Sequence, residues 1–494
     1  MNGQITFFKT ITGADESSNY VAQTTDGGYV IAGASTDTSG NINGLVIKTN
    51  ALGDTTWTRI YGIDTRFNSG MQTSDGGYIL IGKKQNFPTG DYDIYILKID
   101  AAGIIQWQKT IGLSDNEYGT SIRQTADGGY VLAGHGSDLG TGYAIYVVKL
   151  DPGGNLQWDK VIGGSDTKTS SSIRETNDGG YIITGASSNG TDSETYLLKL
   201  DGSGVEQWSK KYGGTTYAKG SCIQQTPDQG YVISGTRTNS AGSSSDLSVM
   251  KTDSLGNIDW AKVYVGANPY LEGTINKTSN GNYILSSSKN VFGQSKLLFT
   301  LIDNSGNELW SRYMGITDLG FGSWAEQTAD GGFVFTGYSI TLALRGAIYF
   351  IKADSLGRSG CDSSTTLTVT PFIPTVTTPT SLSISGLAII NAALLASVRS
   401  DTINTYCTTV AISELQSKDQ IAVYPNPSSG QFNFSGLRKE SKIEVFDITG
   451  RTVYQLIAVG DLETINISDK AKGIYFYRVT SEMKLVQNGK ICME

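Results

Sequence analysis

The feature that most constrains this chain is a repeat with a period of about fifty residues. The motif Thr-x-Asp-Gly-Gly-Tyr recurs with small variations along the first 360 residues, and its Asp or Asn positions follow one another at intervals of 49 to 52 residues. A constant period of this length predicts a propeller or a related array, in which each repeat packs on the next. These positions are Asp26, Asp75, Asp127, Asp178, Asp228, Asn280 and Asp330.

Each repeat divides into four short extended runs. In the third repeat, the turn Asp127-Gly128-Gly129 joins two apolar runs, and the turn Asp151-Pro152-Gly153-Gly154 joins two more. Asp-Gly between alternating runs is a strong hairpin signal, because Gly accepts the positive φ that the turn requires. Four antiparallel strands in each period make one blade, and we therefore predict an all-β chain.

The tryptophans indicate how the array closes. Six of them recur in the fourth run of the repeats, whereas there are seven repeats. Residues 3–9 align with residues 103–109 and place Phe7 at the Trp position, and the seventh repeat stops after Gly357, where its fourth strand should begin. We therefore predict a seven-bladed β-propeller closed by its N-terminal strand, residues 3–11. The tryptophans are Trp57, Trp107, Trp158, Trp208, Trp260 and Trp310.

The recurring Lys-Leu-Asp-x-x-Gly-x-x-x-Trp pattern, as at Lys149–Trp158, resembles the blades of quinoprotein-type propellers. The resemblance covers the blade alone. A quinone enzyme also needs an inward-facing metal and cofactor constellation, which the repeat does not supply, so we expect no cofactor.

The sequence predicts three regions: a propeller over residues 1–360, a Thr/Ser/Pro-rich extended connector over 361–412, and a C-terminal domain over 413–494. Cys361 and Cys407 bracket the connector. In a secreted protein such a pair would close a disulfide loop, and the alternative is two unpaired thiols. The four cysteines form no CxxC and no Cys/His cluster, so we expect no zinc site, and Cys222 is expected to be a small buried filler.

The C-terminal region carries several ordered motifs. Alternating apolar runs bounded by the turns at 447–450 and 470–473 predict a small β-sandwich. The motif residues of this region are Tyr424, Pro425, Asn426, Pro427, Gly450, Gly473, Tyr475 and Lys490. In this order they resemble the type IX secretion system C-terminal sorting domain (Por secretion tail) of Bacteroidota.

This resemblance implies that the type IX secretion machinery is a partner and that the chain is extracellular or on the outer cell surface. Export through this system needs a signal peptide. The printed sequence begins Met1-Asn2-Gly3-Gln4, without a basic and apolar signal. We expect that the signal was removed or that the start of the gene is misplaced.

Charge and hydropathy exclude two classes of partner. The formal net charge is −8 and the isoelectric point is near 5.0, so the chain has no general positive field for phosphates and we expect no nucleic-acid partner. Its most apolar stretch, residues 382–398, is interrupted by Ser, Gly and Asn and is shorter than a membrane span. We therefore expect no transmembrane segment.

No reactive constellation is visible in the sequence. His135 is the only histidine, and nothing else indicates a triad around it, so it is interpreted as a loop residue and no catalytic residue is predicted. The repeated turn aspartates are explained by bonds to their own backbone rather than by calcium, so no metal site is predicted. Paired carboxylates for glycoside hydrolysis would have to meet from different blades, which leaves that chemistry open.

The loops that join strands two to three and four to one vary in length, and strand alternation places both sets on one face. Variable loops on a rigid scaffold are where binding usually occurs. We predict a glycan or protein ligand there, with packing of the loops as the alternative role of the aromatic residues. The candidate binding residues are Tyr118, Tyr217, Tyr270, Phe321, Trp324, Asp115 and Asp166.

Three functions are compatible with this pattern. The first is a secreted or cell-surface binding or adhesion protein that uses the variable-loop face. The alternatives are an enzyme that acts on extracellular polysaccharide and a structural component of a surface coat.

Overall fold

The structure is a computed structural model, and it divides the chain into two compact units, residues 1–411 and 412–494. All regular structure in the described residues is β-strand. The described residues are 4–12, 15–86, 89–112, 115–138, 142–213, 217–238, 245–265, 273–291, 294–314, 319–340, 346–379, 382–384, 388–391, 396–399, 402–407, 421–424, 428–447, 451–481 and 484–493.

The first unit contains antiparallel sheets with the strand order of propeller blades, seven of them in the part of the chain just delimited. Sheet 7 takes one strand from the start of the chain, β1 (Phe7–Thr12). Sheet 1 contains β2 (Glu16–Gln23), β3 (Tyr29–Thr36), β4 (Ile42–Thr49) and β5 (Thr55–Ile63); sheet 2, β6 (Thr65–Gln72), β7 (Tyr78–Gln85), β8 (Tyr92–Ile99) and β9 (Ile105–Gly112); sheet 3, β10 (Glu117–Gln124), β11 (Tyr130–Asp138), β12 (Gly142–Leu150) and β13 (Leu156–Gly163).

The remaining sheets repeat this order. Sheet 4 contains β14 (Thr167–Glu175), β15 (Tyr181–Ser188), β16 (Ser193–Leu200) and β17 (Glu206–Gly213); sheet 5, β18 (Ala218–Gln225), β19 (Tyr231–Thr238), β20 (Ser245–Thr252) and β21 (Ile258–Val265); sheet 6, β22 (Thr274–Lys277), β23 (Tyr283–Val291), β24 (Gln294–Ile302) and β25 (Glu308–Met314); sheet 7, β26 (Leu319–Gln327), β27 (Phe333–Ile340), β28 (Gly346–Ala353) and β1.

The N-terminal strand forms the fourth strand of sheet 7. It pairs antiparallel with β28, with Phe7 opposite Lys352 and Ile11 opposite Ile348. Phe7, Phe8 and Ile11 are buried. The first strand of each sheet contacts the first strands of its two neighbours, and β26 of sheet 7 contacts β2 of sheet 1.

The repeated turn aspartates bind a buried lysine of their own sheet. Lys98 Nζ lies 2.8 Å from Asp75 Oδ2, and the same pair occurs in five other sheets. Burial alone would raise the pKa of Asp75, but hydrogen bonds from Lys98, Thr73 and the Gly77 N–H lower it to about 2. The aspartates are therefore structural turn residues. Sheet 6 lacks both partners, since Asn280 replaces the aspartate and Leu301 replaces the lysine.

The tryptophans of the fourth, outer strands pack against the following sheet. The ring of Trp107 in sheet 2 meets Tyr130 of sheet 3 at 5.6 Å, edge to face. Phe7 of sheet 7 meets Tyr29 of sheet 1 in the same way, at 6.2 Å. Phe7 therefore takes the Trp position, as its alignment predicts.

A hydrogen bond at the end of the first strand of a sheet, which we call the inner strand, also joins neighbouring sheets. In six sheets the last residue of the first strand is a Gln or Glu whose side chain accepts a bond from a turn N–H of the preceding sheet, at 2.7 to 3.0 Å. Gln23 of sheet 1 accepts from Ala329 of sheet 7 at 2.7 Å. Between sheets 5 and 6 the turn residue is Pro227, which has no N–H, and Lys277 instead donates to the Gln225 carbonyl at 2.9 Å. The acceptors are Gln23, Gln72, Gln124, Glu175, Gln225 and Gln327.

The segment predicted as an extended connector supplies a fifth strand to every sheet. We call residues 362–407 the belt. It passes sheets 6, 5, 4, 3, 2, 1 and 7 in that order and pairs antiparallel with their outer strands. Its strands are β29 (Asp362–Thr365), β30 (Thr368–Pro371), β31 (Thr375–Thr377), β32 (Leu382–Ile384), β33 (Ala388–Asn391), β34 (Ala396–Arg399) and β35 (Thr402–Cys407).

Side chains also attach the belt to the sheets. Leu367 is buried in the core of sheets 5 and 6. The ring of Phe372 lies 4.0 Å from the Arg237 guanidinium carbon. The belt is thus packed on the first unit rather than being a bare linker.

The two ends of the belt meet at neighbouring sheets, 6 and 7. Cys361 is disulfide-bonded, whereas Cys222 and Cys492 have reduced thiols. Cys361 packs on the cluster that contains Phe8, and Phe8 is the backbone partner of Cys407. These positions support the predicted Cys361–Cys407 pair, which stays a prediction.

The second unit consists of two antiparallel sheets around one core. One sheet has the order β36 (Ala422–Tyr424), β37 (Gln431–Ser435), β40 (Leu462–Asn466), and the other β39 (Thr452–Ile457), β38 (Lys442–Phe446), β41 (Gly473–Ser481), β42 (Lys484–Met493). Phe432 and Phe434 from the first sheet share a core with Ile443 and Val479 from the second. This arrangement agrees with the predicted β-sandwich.

Deletion of residues 1–12 tests the role of the N-terminal strand. The deletion removes β1 from between β28 and β35 and exposes the surfaces that Phe7, Phe8 and Ile11 cover. At about 1.5–3 kcal/mol for each buried side chain, we expect the free energy of unfolding to fall by about 5 kcal/mol or more. Urea denaturation measures it, with a chain lacking only residues 1–3 as the control. A deletion variant as stable as the full chain would contradict the assignment.

The predicted disulfide is tested by Cys361→Ser and Cys407→Ser. A cross-link across a loop of this length stabilises the folded state by about 2–4 kcal/mol. Each variant should therefore melt at a lower temperature than the wild-type chain, and the decrease should be the same for both variants. A reductant should lower the melting temperature of the wild-type chain and leave both variants unchanged. Cys492→Ser, which changes a reduced cysteine, is the control. A stability loss in only one of the two variants would rule out this pairing.

Candidate binding site

The first strands of the sheets carry a repeated β-bulge. In six of them the register shifts by one residue at the equivalent position, so that a single residue is left out of the pairing. A bulge re-aims the side chain of the extra residue. All six bulged residues are small and polar, and all six line one cavity: Asn19, Asn68, Thr120, Ser171, Ser221 and Ser323.

This inner cavity has a volume of about 870 Å³. A second layer of its wall comes from the residues that follow the bulges, Ser69, Ser121, Ser172, Cys222 and Trp324, and from Thr274. Its mouth includes Tyr217, Thr238 and Ser245, which lie at strand ends next to the variable loops. The described lining residues include no Asp or Glu, whereas Arg123 and Lys219 are among them, so the wall is polar and its charged groups are positive.

Two arginines lie at the floor of the cavity, two residues further along their strands; Arg123 is among the lining residues, and Arg174 is its equivalent in sheet 4. Arg123 Nη1 donates to the Ile122 carbonyl at 2.6 Å and lies 3.4 Å from Ser69 Oγ. Arg174 Nη1 donates to the Ile173 carbonyl at 2.8 Å and to Ser172 Oγ at 3.2 Å. Both side chains are half-buried.

Glu326 of sheet 7 occupies the equivalent position opposite these arginines. Its Oε2 accepts a weak hydrogen bond from Trp324 Nε1 at 3.5 Å. Burial raises the pKa of Glu326 to about 7, against the opposing effects of the Trp324 bond and of Arg123 and Arg174. Burial, and then the charge of Glu326, also raise the pKa of Tyr20. The floor therefore gains a negative charge only as the pH passes through neutrality.

The predicted binding residues separate into several places. Tyr217, 41% exposed, and Trp324, 9% exposed, line the cavity. Asp115 is exposed in a loop, and Asp166 is held by Lys211 Nζ at 3.1 Å. Tyr270 and the side chain of Phe321 lie outside the described residues.

Tyr118 belongs to an aromatic cluster beside the cavity. Lys83 Nζ lies 3.9 Å from the ring centre of Tyr92 and 4.9 Å from that of Tyr118. His135 contacts the rings of Tyr118 and Tyr143 at 5.7 and 6.0 Å. These contacts make His135 a packing partner of tyrosines at the edge of the cavity.

Sequence reasoning missed the floor. Arg123, Arg174 and Glu326 stand one residue before the Gln or Glu that ends each inner strand, and the other repeats have Ala22, Met71, Gln224 and Asn276 there. The signal in the sequence is that three repeats have a charged residue at a position of the inner strand where the other four repeats do not. In the described part of the chain, no cluster of His, Cys, Asp and Glu could hold a metal ion.

The predicted sorting residues lie in the second unit. Tyr475 is buried and its hydroxyl donates to the Ala471 carbonyl at 2.5 Å, which ties β41 to the preceding turn. Gly473 has a φ of 145°, and Tyr424 is 47% exposed. Lys490 lies in β42, opposite Phe476. Pro425, Asn426, Pro427 and Gly450 fall outside the described residues.

Within the described ranges, no helix is long and apolar enough to cross a membrane. The comparison with curated proteins found no match. Similar solved structures include Sqt1 from Chaetomium thermophilum (10% identity, 69% of this chain and 97% of that chain, TM-score 0.38) and Drosophila Semaphorin 2a (6%, 98% and 97%, 0.42). PorZ, a surface component of the type-IX secretion system of Porphyromonas gingivalis, is also similar (9%, 99% and 100%, 0.21). With TM-scores below 0.5, these likenesses carry no argument.

The raised pKa of Glu326 predicts a pH-dependent stability. The folded state binds this proton more tightly than the unfolded state, whose pKa is near the ordinary 4.5, so stability should fall as the pH rises from about 4.5 to about 7. The shift corresponds to at most about 3 kcal/mol. Glu326→Gln should remove this part of the pH dependence in urea unfolding at pH 5 and pH 8. An identical slope in the variant and the wild type would refute the assignment.

The family described as the secretion system C-terminal sorting domain matches residues 422–494, which cover the second unit. This match and the β-sandwich agree with the motifs found in the sequence. Residues 422–494 are a sorting domain of the type IX secretion system, which implies interaction with that machinery, and the chain is exported to the cell surface or the extracellular space.

Proposed function

We propose that this chain is a secreted or cell-surface binding protein that takes a polar ligand, such as the end of a glycan or a polar segment of a protein, into the inner cavity. Its first unit is then a closed seven-bladed β-propeller with the belt around it, and the variable loops surround the mouth of the cavity. We retain a propeller over residues 1–360 and a sorting domain over 413–494, with the belt inside the intervening segment.

Ring closure is supported by contacts that repeat across the chain ends. Ser18 Oγ of sheet 1 lies 2.6 Å from Thr336 Oγ1 of sheet 7, and Gln23 accepts a bond from Ala329. Together with the Phe7–Tyr29 contact, these give sheets 7 and 1 the same kinds of contact as other neighbouring sheets.

The observation that carries the binding role is the wall of the cavity. Six bulges turn hydroxyl and amide side chains towards one space, together with the Trp324 ring. Its volume lies within the range of small-molecule sites, and groups of this kind bind hydroxyl-rich ligands through hydrogen bonds and ring contacts. An enzyme acting on polysaccharide is less favoured, because hydrolysis needs two carboxylates, whereas the described lining contains none and the floor beneath it contributes one, Glu326.

Filling the cavity tests this proposal. Ser171→Trp places an indole in the space that a ligand would occupy, whereas Ser74→Trp makes the same change at an exposed turn and serves as the control. The full chain is screened on a glycan array and against surface extracts. We expect selective binding without product formation, reduced at least tenfold by Ser171→Trp alone. Equal binding by both variants would exclude the cavity, and product formation would favour the enzyme.

A further inference from the structure

The two arginines of the floor feel the charge of Glu326 but form no salt bridge with it. Among the described residues, Arg123 and Arg174 make no ion pair, and their bonds go to carbonyls, to serine hydroxyls and, from Arg174 Nη2, to the Cys222 sulfur at 3.8 Å. The hydrogen bonds of Arg123 all start from Nη1. A guanidinium has five N–H donors in a planar fork, so most donors of Arg123 remain for another group.

Two like charges deep in a protein are costly unless an anion compensates them. Glu326 supplies one negative charge at most and none while it is protonated. The charge of the floor is also opposite to the net charge of −8 of the whole chain. The floor is therefore locally positive in a chain whose net charge is negative.

We propose that the ligand of the inner cavity is an acidic saccharide, whose carboxylate binds Arg123 and Arg174 at the floor. This inference rests on the binding role proposed above and names the class of ligand. The planar fork of an arginine matches a carboxylate with two parallel hydrogen bonds. The ring of Ser, Thr and Asn side chains then lies at the level of the sugar hydroxyls, and further sugar units reach the mouth at Tyr217.

Glu326 competes with the ligand for the two arginines. The titratable and charged groups around this floor come from six strands, and two more line the cavity. The groups of the floor are Tyr20, Arg123, Arg174, Cys222, Lys277 and Glu326, and those of the cavity wall are His135 and Lys219. Of these, Glu326 has a pKa of about 7. As the pH rises past this value, its carboxylate neutralises part of the positive charge, and an acidic ligand should bind less tightly.

Isothermal titration calorimetry of the full chain tests the inference with paired probes. Trigalacturonate and other uronate oligosaccharides are compared with their methyl esters, which keep the sugar and lose the charge. We expect the acids to bind at least tenfold more tightly than the esters at pH 6, and this preference to shrink several-fold at pH 8. Glu326→Gln should make the preference independent of pH.

Substitutions at the floor provide the second arm. Arg123→Met and Arg174→Met should each weaken binding of the acids at least tenfold and change binding of the esters little. Arg123→Lys keeps the charge and should restore part of the preference, which also serves if Arg123→Met fails to fold. Arg66→Met, an arginine on the same face beside the cavity, is the matched control.

The outcomes separate the two proposals. Equal binding of acids and esters, abolished by Ser171→Trp, would overturn the acidic ligand and leave the cavity as the binding site. Tighter binding of sulfated than of carboxylated oligosaccharides would overturn the carboxylate assignment. If the wild-type chain binds none of these probes and, like Ser171→Trp, binds nothing in the glycan and extract screens, both proposals are overturned.

Discussion

Six pairs of neighbouring sheets in the first unit are held together by the same two contacts, and the rest of the structure depends on them. One is the hydrogen bond from a turn N–H to the side chain that ends the next inner strand, and the other is the outer aromatic ring on an aromatic residue of the next sheet. Each sheet therefore gains stability mainly from its two neighbours. Sheets 7 and 1 share both contacts through Gln23 and Phe7, although the residues come from opposite ends of the repeat array.

The exceptions to the repeat follow the same physical logic. Where Pro227 removes the turn N–H, the Gln that would accept from it is replaced by Lys277, which donates to a carbonyl instead. Where Asn280 replaces the turn aspartate, the buried lysine is replaced by Leu301, so no unpaired ammonium is left in the sheet. A polar group and its partner change together because an unsatisfied buried donor or charge costs more than the interaction contributes.

The local patterns of the sequence predict much of this unit. They do not predict the features that depend on residues from different sheets coming together. Asp-Gly-Gly turns and alternating runs located the strands, and Phe7 was found because it takes the place of a recurring tryptophan. The composition of the belt predicts a connector and not strands. Its strands have three to six residues and are rich in Thr and Ser, so they show too little alternation of apolar and polar residues to be recognised. Arg123, Arg174 and Glu326 come from three sheets and meet only through the arrangement of those sheets, so no spacing along the chain could bring them together.

The small side chains of the inner strands explain both the cavity and its asymmetry. Seven strands that converge leave little room, and the bulged positions carry Ser, Thr or Asn in every sheet whose bulge is described. At the next position, sheets 7 and 1 carry Trp324 and Tyr20, whose rings meet at 5.3 Å and fill their side of the space. Sheets 2 to 6 carry Ser69, Ser121, Ser172, Cys222 and Thr274 there, so the open volume lies towards them. Arg123 and Arg174 come from strands of this open side, whereas Glu326 comes from the filled side, so both arginines belong to the sheets that leave room for a ligand.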